Sequence, residues 1–180
     1  MIISQSCNTI KFMLIFHYII YRSTDMRTEK GTVEFTNMIM IEDKATGKVL
    51  VQERRKSWTG LSFPGGHLEP FESIVDSVIR EAKEETGLDI KNPRQCGVIH
   101  WVHKTRGDRY VVFLFKTNNF SGELLAETDE GRVFWIDPDE LKNENLSKNF
   151  GNYIPMFFNN ELNEAYGIWH EDEEDKLIYK

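Results

Sequence analysis

Cysteine is scarce in this chain of 180 residues, which holds only Cys7 and Cys96. Two cysteines cannot build the disulfide framework of a small secreted protein, so we expect a reducing compartment, the cytoplasm. Proline and glycine are also few, at 5 and 12 residues, and this composition excludes collagen-like and low-complexity chains.

An excess of basic charge is missing as well, because 22 Lys and Arg face 29 Asp and Glu, for a formal net charge of −7. Binding to polymeric nucleic acid needs clustered basic side chains that displace counterions from phosphates, so we expect no such partner. A small phosphorylated ligand is still compatible with this balance, since carboxylates can hold the metal ions that accompany phosphates.

A hydrophobic run long enough to cross a membrane is absent from the sequence. Residues 10–21 are apolar but carry Lys11 and His17, and they fall short of the roughly 20 residues that a spanning helix needs. A signal peptide also fits poorly, because no basic start or small-residue cleavage site is present. Residues 1–25 are therefore either a packing segment or an extension upstream of a domain over residues 26–180. We favour the extension, and expect its deletion to leave folding and activity intact.

What the chain does contain is the material of one globular domain, with 40% hydrophobic and 28% charged residues. β-branched and apolar residues predict strands over 32–41, 49–52, 97–103, 110–116 and 132–136, with turns at 42–48 and 105–108 and a loop at 57–66. Helices are predicted over 73–86, from 137–141 onward with Pro138 in its first turn, and near 153–160. This mixture favours an α/β (α+β) sandwich.

The helix over 73–86 has the clearest pattern, since apolar residues recur at helical spacing at Val75, Val78, Ile79 and Ala82. Ser73 is a suitable N-cap with Asp76 three residues later, and Gly87 is a suitable stop. Glu81, Glu84 and Glu85 are spaced to share one helical face, which we expect opposite the apolar stripe.

Three like charges on one face repel each other unless a cation neutralises them, and carboxylate oxygens suit Mg²⁺ or Mn²⁺. Taken alone, such a cluster is more typical of a solvated acidic face. Here it comes with Gly65 and Gly66 upstream and with further residues at set distances, namely Glu72, Arg80, Gly87 and Leu88.

Together these residues resemble the Nudix box: Gly, five residues, Glu, seven residues, Arg-Glu, two residues, Glu-Glu, one residue, Gly and an aliphatic residue. The resemblance implies an α/β/α sandwich with a mixed central sheet, in which the box is a loop, a helix and a loop. It also implies a hydrolase that uses a divalent metal, Mg²⁺ with Mn²⁺ as a substitute. By motif position, Glu81, Glu84, Glu85 and the carbonyl of Gly66 would bind metal, while Glu72 and Arg80 would brace loop to helix.

The chemistry also needs a general base, and a carboxylate near the metal can serve. Residues 127–130 form an acidic run before a predicted strand, and by resemblance Glu130 would join the metal site, which gives a catalytic set of Glu81, Glu84, Glu85 and Glu130. The alternative for this run is a plain surface turn.

Beyond the box, segments near residues 127–141, 152–157 and 166–169 resemble MutT-like oxidised-purine nucleoside triphosphatases. Those enzymes convert 8-oxo-dGTP to 8-oxo-dGMP and pyrophosphate. The resemblance places a base-reading residue at Asn149, where this chain lacks the family's paired carboxylates, and a phosphate-binding cation at Arg54. Asn149 could equally cap a helix, and Arg54 could pair with Glu53.

The sequence therefore predicts a Mg²⁺-dependent Nudix pyrophosphohydrolase acting on a nucleoside triphosphate such as 8-oxo-dGTP. Other nucleoside diphosphate derivatives, such as a nucleotide sugar, ADP-ribose or a dinucleoside polyphosphate, are the alternative substrates. A catalytically inactive Nudix fold that binds a ligand is the alternative from another functional class.

Overall fold

The computed structural model describes residues 31–170 and 176–180, so residues 1–25 lie outside the described part and their deletion stays a prediction. Two α-helices are described, α1 (Ile74–Thr86) and α2 (Phe150–Phe158), with a short 3-10 helix at Leu141–Asn143. The strands are β1 (Val33–Asp43), β2 (Lys48–Arg54), β3 (Gly60–Ser62), β4 (Asp89–Ile90), β5 (Arg94–His103), β6 (Arg109–Thr117), β7 (Phe120–Ser121), β8 (Glu127–Thr128), β9 (Gly131–Ile136), β10 (Glu164–Trp169) and β11 (Lys176–Tyr179).

Nine strands form one mixed sheet in the order β11-β10-β5-β6-β1-β2-β9-β8, with β3 paired to β2. β1 runs parallel to β6 and β5 runs parallel to β10, while the other pairs in this sheet are antiparallel. β4 and β7 form a separate small ribbon. The mixed central sheet that the resemblance implied is confirmed.

Each face of the sheet is covered by one helix. Val78 and Ala82 of α1 pack with sheet residues of one core cluster, including Ile39 and Leu50. On the other face, α2 contributes a larger set to the second cluster, namely Phe150, Tyr153, Met156 and Phe157. The α/β/α arrangement follows from these two apolar layers.

β1 and β2 separate soon after their hairpin turn, where only Glu42 with Val49 and Asp43 with Lys48 are paired. Beyond that point β1 bonds instead to the loop that precedes α1. The N–H of Ile39 donates to the carbonyl of Pro64 and the N–H of Asn37 to that of Gly66, both at 2.9 Å. The split between the two strands thus holds the loop in place.

Most predicted elements are confirmed, and the boundaries of α1 follow from its caps. The N–H of Asp76 donates to the hydroxyl oxygen of Ser73 at 3.1 Å, and Gly87 ends the helix with a left-handed φ of 78°. The predicted helix from 137 onward is wrong apart from the turn at Leu141–Asn143. The Asp137 carboxylate accepts from the N–H of Asp139 at 2.9 Å, and this local turn competes with a helix start.

The expected division of α1 into an apolar face and an acidic face is also wrong. Val75 and Ile79 are 44% and 37% exposed, whereas Glu85 is only 6% exposed and lies on the buried side with Val78 and Ala82. Positions 78, 82 and 85 share a face at i, i+4 and i+7. One carboxylate of the box is therefore embedded between helix and sheet rather than turned to solvent.

Candidate active site

The loop before α1 and the helix itself are fastened together by Arg80. Its guanidinium binds both carboxylate oxygens of Glu72, with Nε 2.8 Å from Oε1 and Nη2 2.9 Å from Oε2. Nη2 also donates to the carbonyl of His67 at 3.1 Å. The pair holds the pKa of the Glu72 carboxyl down at about 2 and raises that of Arg80. These contacts give Glu72 and Arg80 the geometry of a brace between loop and helix.

The same guanidinium reaches two more carboxylates of the box. Nη1 of Arg80 lies 2.9 Å from Oε1 of Glu81 and 3.0 Å from Oε2 of Glu84. The Glu81 side chain is 13% exposed and that of Glu84 is 60% exposed. Burial raises the pKa of the Glu81 carboxyl, and Arg80 opposes that rise. Arg80 is thus the local cation that keeps these neighbouring acids together.

Glu85 has a different environment, because the sheet covers it. Its Oε2 accepts a hydrogen bond from the N–H of Gly65 at 2.8 Å. Burial raises the pKa of its carboxyl to about 7, the Gly65 N–H opposes this rise, and the charge of Glu81 adds to it. A buried carboxylate beside another carboxylate favours a cation in its vicinity.

The acidic run in 127–130 approaches the box from β8 and the turn after it. Glu130 pairs with Lys56 at 2.8 Å, and Glu127 pairs with Arg55. Lys56, which follows β2, was not predicted as a site residue. Its signal in the sequence is its position at the end of a run of three cations that begins with Arg54.

One cleft with a volume of about 630 Å³ collects these groups. It is lined by Arg54, Gly65, Gly66, His67, Leu68, Glu69, Pro70, Arg80, Glu81, Glu84, Glu85, Thr128, Asp129 and Glu130. Arg54 also lines a neighbouring cavity of about 420 Å³ and so lies at the junction of the two. The structure therefore brings seven of the nine predicted site residues together in this cleft, and only Glu72 and Asn149 do not line it.

Asn149 lines neither of these two cavities. It occupies the N-cap position of α2 with a left-handed φ of 66°, and its side chain makes no capping hydrogen bond. The neighbouring Lys148 places its ammonium 5.5 Å from the ring centre of Trp58, which is 57% exposed.

The donor set of the cleft fits a hard divalent cation, since it consists of carboxylate and carbonyl oxygens. At Gly66, an added Cβ would lie 2.5 Å from Oε1 of Glu81, so only glycine leaves room for that carboxylate beside the loop. As the side chains stand, no three acidic, His or Cys groups within 31–170 and 176–180 converge closely enough to hold an ion. Instead, Arg80 forms an ion pair with Glu81, and Lys56 forms one with Glu130.

Gln52 is a further residue near the cleft that the sequence analysis missed. It is fully buried in β2 and approaches the Glu85 carboxyl from the sheet side. Its signal is a polar residue that directly follows the apolar residues Val49, Leu50 and Val51.

In the described part of the chain, no helix is long and apolar enough to span a membrane.

The family model of the NUDIX domain matches residues 35–157. YvcI of Bacillus subtilis, an uncharacterized Nudix hydrolase, is 34% identical over 66% of this chain and 75% of its own length. An oxidized purine nucleoside triphosphate hydrolase of Danio rerio is 30% identical over 53% of this chain and 62% of its own length.

Among solved structures, the mutator MutT protein of Bacillus halodurans matches with a TM-score of 0.65 and 26% identity, over 82% of this chain and 96% of that one. The fold, the residues of the box and the family model agree with one another. The chain therefore belongs to the Nudix hydrolase family.

Proposed function

We propose that this protein is a Mg²⁺-dependent pyrophosphohydrolase that converts a nucleoside triphosphate, an oxidised purine such as 8-oxo-dGTP, into the monophosphate and pyrophosphate. One observation carries the proposal: a single cleft gathers Gly66, Glu81, Glu84, Glu85 and Glu130 with Arg54 at its edge. Relatives of the chain include an oxidized purine nucleoside triphosphate hydrolase, which supports the choice of substrate. The reducing cytoplasm is part of the same proposal.

Glu81, Glu84, Glu85, Glu130 and the carbonyl of Gly66 would hold the metal. When bound, a divalent ion screens the charge of a polyphosphate and lowers the pKa of water. The Gly66 carbonyl already accepts from the N–H of Asn37, which fixes its direction and leaves its second lone pair available.

Hydrolysis joins the oxygen of a water to phosphorus, breaks a phosphoanhydride P–O bond and releases a proton. Glu130 is the candidate acceptor of that proton, because it lies in the cleft on a different element from the box carboxylates. Its ion pair with Lys56 spans 2.8 Å, and both side chains are well exposed, so solvent screens the pair. Glu130 can therefore exchange this partner for a water at low cost.

Arg54 is the candidate phosphate anchor. Its Nε donates to the carbonyl of Ser57 at 3.2 Å, and within the described ranges no carboxylate forms an ion pair with it. A guanidinium with unused N–H donors at the mouth of an acidic cleft can bind a phosphate through two parallel hydrogen bonds. Asn149, at the N-cap position of α2, is the candidate base reader.

A substrate panel tests the proposal. The rates to compare are kcat/KM with Mg²⁺ for the common (d)NTPs, 8-oxo-dGTP, ADP-ribose and nucleotide sugars. We expect 8-oxo-dGTP to exceed dGTP by about tenfold or more, as pocket contacts commonly discriminate. ADP-ribose preferred by about tenfold would contradict the substrate assignment and support the alternative Nudix activity. Metal and nucleotide binding without turnover would support the inactive module.

A further inference from the structure

The polar side chains buried beneath the cleft are unusual in their lack of partners. In the described part of the chain, four buried side-chain polar atoms have no hydrogen bond, and three of them belong to Gln52 and Ser62. Gln52 is 0% exposed and Ser62 is 2% exposed. Buried amides and hydroxyls are normally hydrogen-bonded, so a concentration of unpaired ones at one place calls for a functional reason.

Both side chains face the helix that carries the box. Gln52 lies two residues after Leu50, which packs with Val78 and Ala82 of α1, and alternate residues of a strand share a face. Ser62 of β3 is the direct cross-strand partner of Gln52. Directly opposed residues place their side chains on the same face within reach of each other.

Glu85 is the buried carboxylate of the box that lies next to the Gln52 side chain. One of its carboxylate oxygens accepts from the N–H of Gly65, and the side chain lines the cleft. The Gln52 amide comes close enough to oppose the effect of burial on the pKa of Glu85, but neither amide atom has the geometry of a hydrogen bond. The Gln52 amide therefore lies next to the Glu85 carboxylate without a hydrogen bond to it.

We propose that Gln52 is a positioning residue for Glu85: its amide N–H donates to the Glu85 carboxylate and holds it toward the cleft, while Ser62 orients the amide. The inference rests on the proposed function, since Glu85 is there a metal-binding residue. A carboxamide suits the task because one end donates to a carboxylate while the other accepts from a hydroxyl. Partners behind a metal-binding side chain fix its orientation and tune its affinity.

The test replaces Gln52 with methionine, which has similar length and no amide. In Gln52→Met we expect kcat to fall by about 10- to 100-fold, KM to stay within about threefold and Mn²⁺ to bind about tenfold more weakly. The Tm measured in EDTA should stay equal or rise, because an apolar group replaces an unpaired buried amide. If Gln52 were purely structural, its replacement would lower the Tm and leave kcat and Mn²⁺ affinity unaltered.

Thr117→Val is the matched control. Thr117 is buried at the end of β6, donates to the carbonyl of Lys91 at 2.7 Å and lines neither cavity. This variant should lower the Tm and leave kcat unchanged. A kcat and a Mn²⁺ affinity within about twofold of wild type in Gln52→Met would overturn the inference.

Ser62→Ala decides the matter if Gln52→Met does not fold. We expect a loss in kcat of about three- to tenfold, and an unchanged kcat would overturn the inference. The proposed function fails separately, if the wild type hydrolyses no nucleoside triphosphate. In that event the ratio of Mn²⁺ affinities between wild type and Gln52→Met still tests Gln52, and a wild type that binds no Mn²⁺ overturns both.

Discussion

The backbone N–H of Gly65 donates to a carboxylate oxygen of Glu85 at 2.8 Å, across 20 positions of the chain. This bond ties the loop before α1 to the last turn of the helix. Together with the clamp between Arg80 and Glu72, it fixes both ends of the box against each other. The acidic groups of the cleft are thus held by the backbone as well as by side-chain charge.

Replacing Glu84 or Glu85 by glutamine should reduce turnover by about two or more orders of magnitude while the fold persists, because an amide oxygen is a weaker ligand for a hard cation. Steady-state kinetics with Mg²⁺ and circular dichroism measure the two effects. Glu161→Gln, an exposed change outside the two cavities, is the control and should behave as the wild type. Near-normal rates in both cleft variants would remove them from the metal site.

Gly66→Ala should impair catalysis more than stability. The new Cβ would lie 2.5 Å from Oε1 of Glu81, which is the mobile end of a side chain and so can move away from its place in the cleft. We expect kcat to fall by about tenfold or more with a Tm change of only a few degrees. Gly151→Ala in α2 is the control, because its Cβ would meet Leu146 at an ordinary 3.4 Å. Equal activity of the two variants would contradict the close approach.

The ion pair between Glu72 and Arg80 should make the free energy of unfolding depend on pH under acidic conditions. The pKa of Glu72 is about 2 in the folded state against 4.5 for an unperturbed glutamate, so its contribution to stability is complete above pH 4.5 and is lost as the pH falls toward 2. Glu72→Gln should lower the free energy of unfolding by about 1–2 kcal/mol at pH 7 and by progressively less below pH 4.5. Urea unfolding at several pH values measures this, and a cost independent of pH would contradict it.

Cys96 should react slowly with alkylating reagents. It is partly buried, and burial raises the pKa of its thiol to about 11, so little thiolate exists at neutral pH. In a Cys7→Ser variant, labelling at pH 8 should be about 100-fold slower in the folded protein than in urea, and should accelerate as the pH rises. Equal rates in the two states would contradict this environment.

Local chemistry explains which elements were predictable. The limits of α1 follow from Ser73 and Gly87, whose side-chain and backbone preferences act within one turn. β10 was not predicted, because it forms by parallel pairing with β5, whose partner residues lie 66 positions earlier, and because it carries Gly167 in close contact with Trp101. No pattern within a single segment encodes such a pairing.

The residues of the candidate site also differ in how far the sequence alone predicts them. Gly66, Glu81 and Glu84 belong to one loop and helix, so their spacing already places them together. The burial of Glu85 depends on how α1 packs against the sheet, and periodicity assigned its face wrongly because Val75 and Ile79 looked like core residues. Arg54 and Glu130 enter from β2 and from the turn after β8, and only the family resemblance indicated them.

The most direct test of the metal site is a calorimetric titration of Mn²⁺ into the EDTA-treated protein, with and without a non-hydrolysable nucleoside triphosphate. We expect saturable binding that tightens with the nucleotide and is weakened at least about tenfold in Glu84→Gln and Glu85→Gln. The absence of any divalent-ion binding by the wild type, alone or with nucleotide, would contradict the proposal that this cleft is a metal-dependent catalytic site.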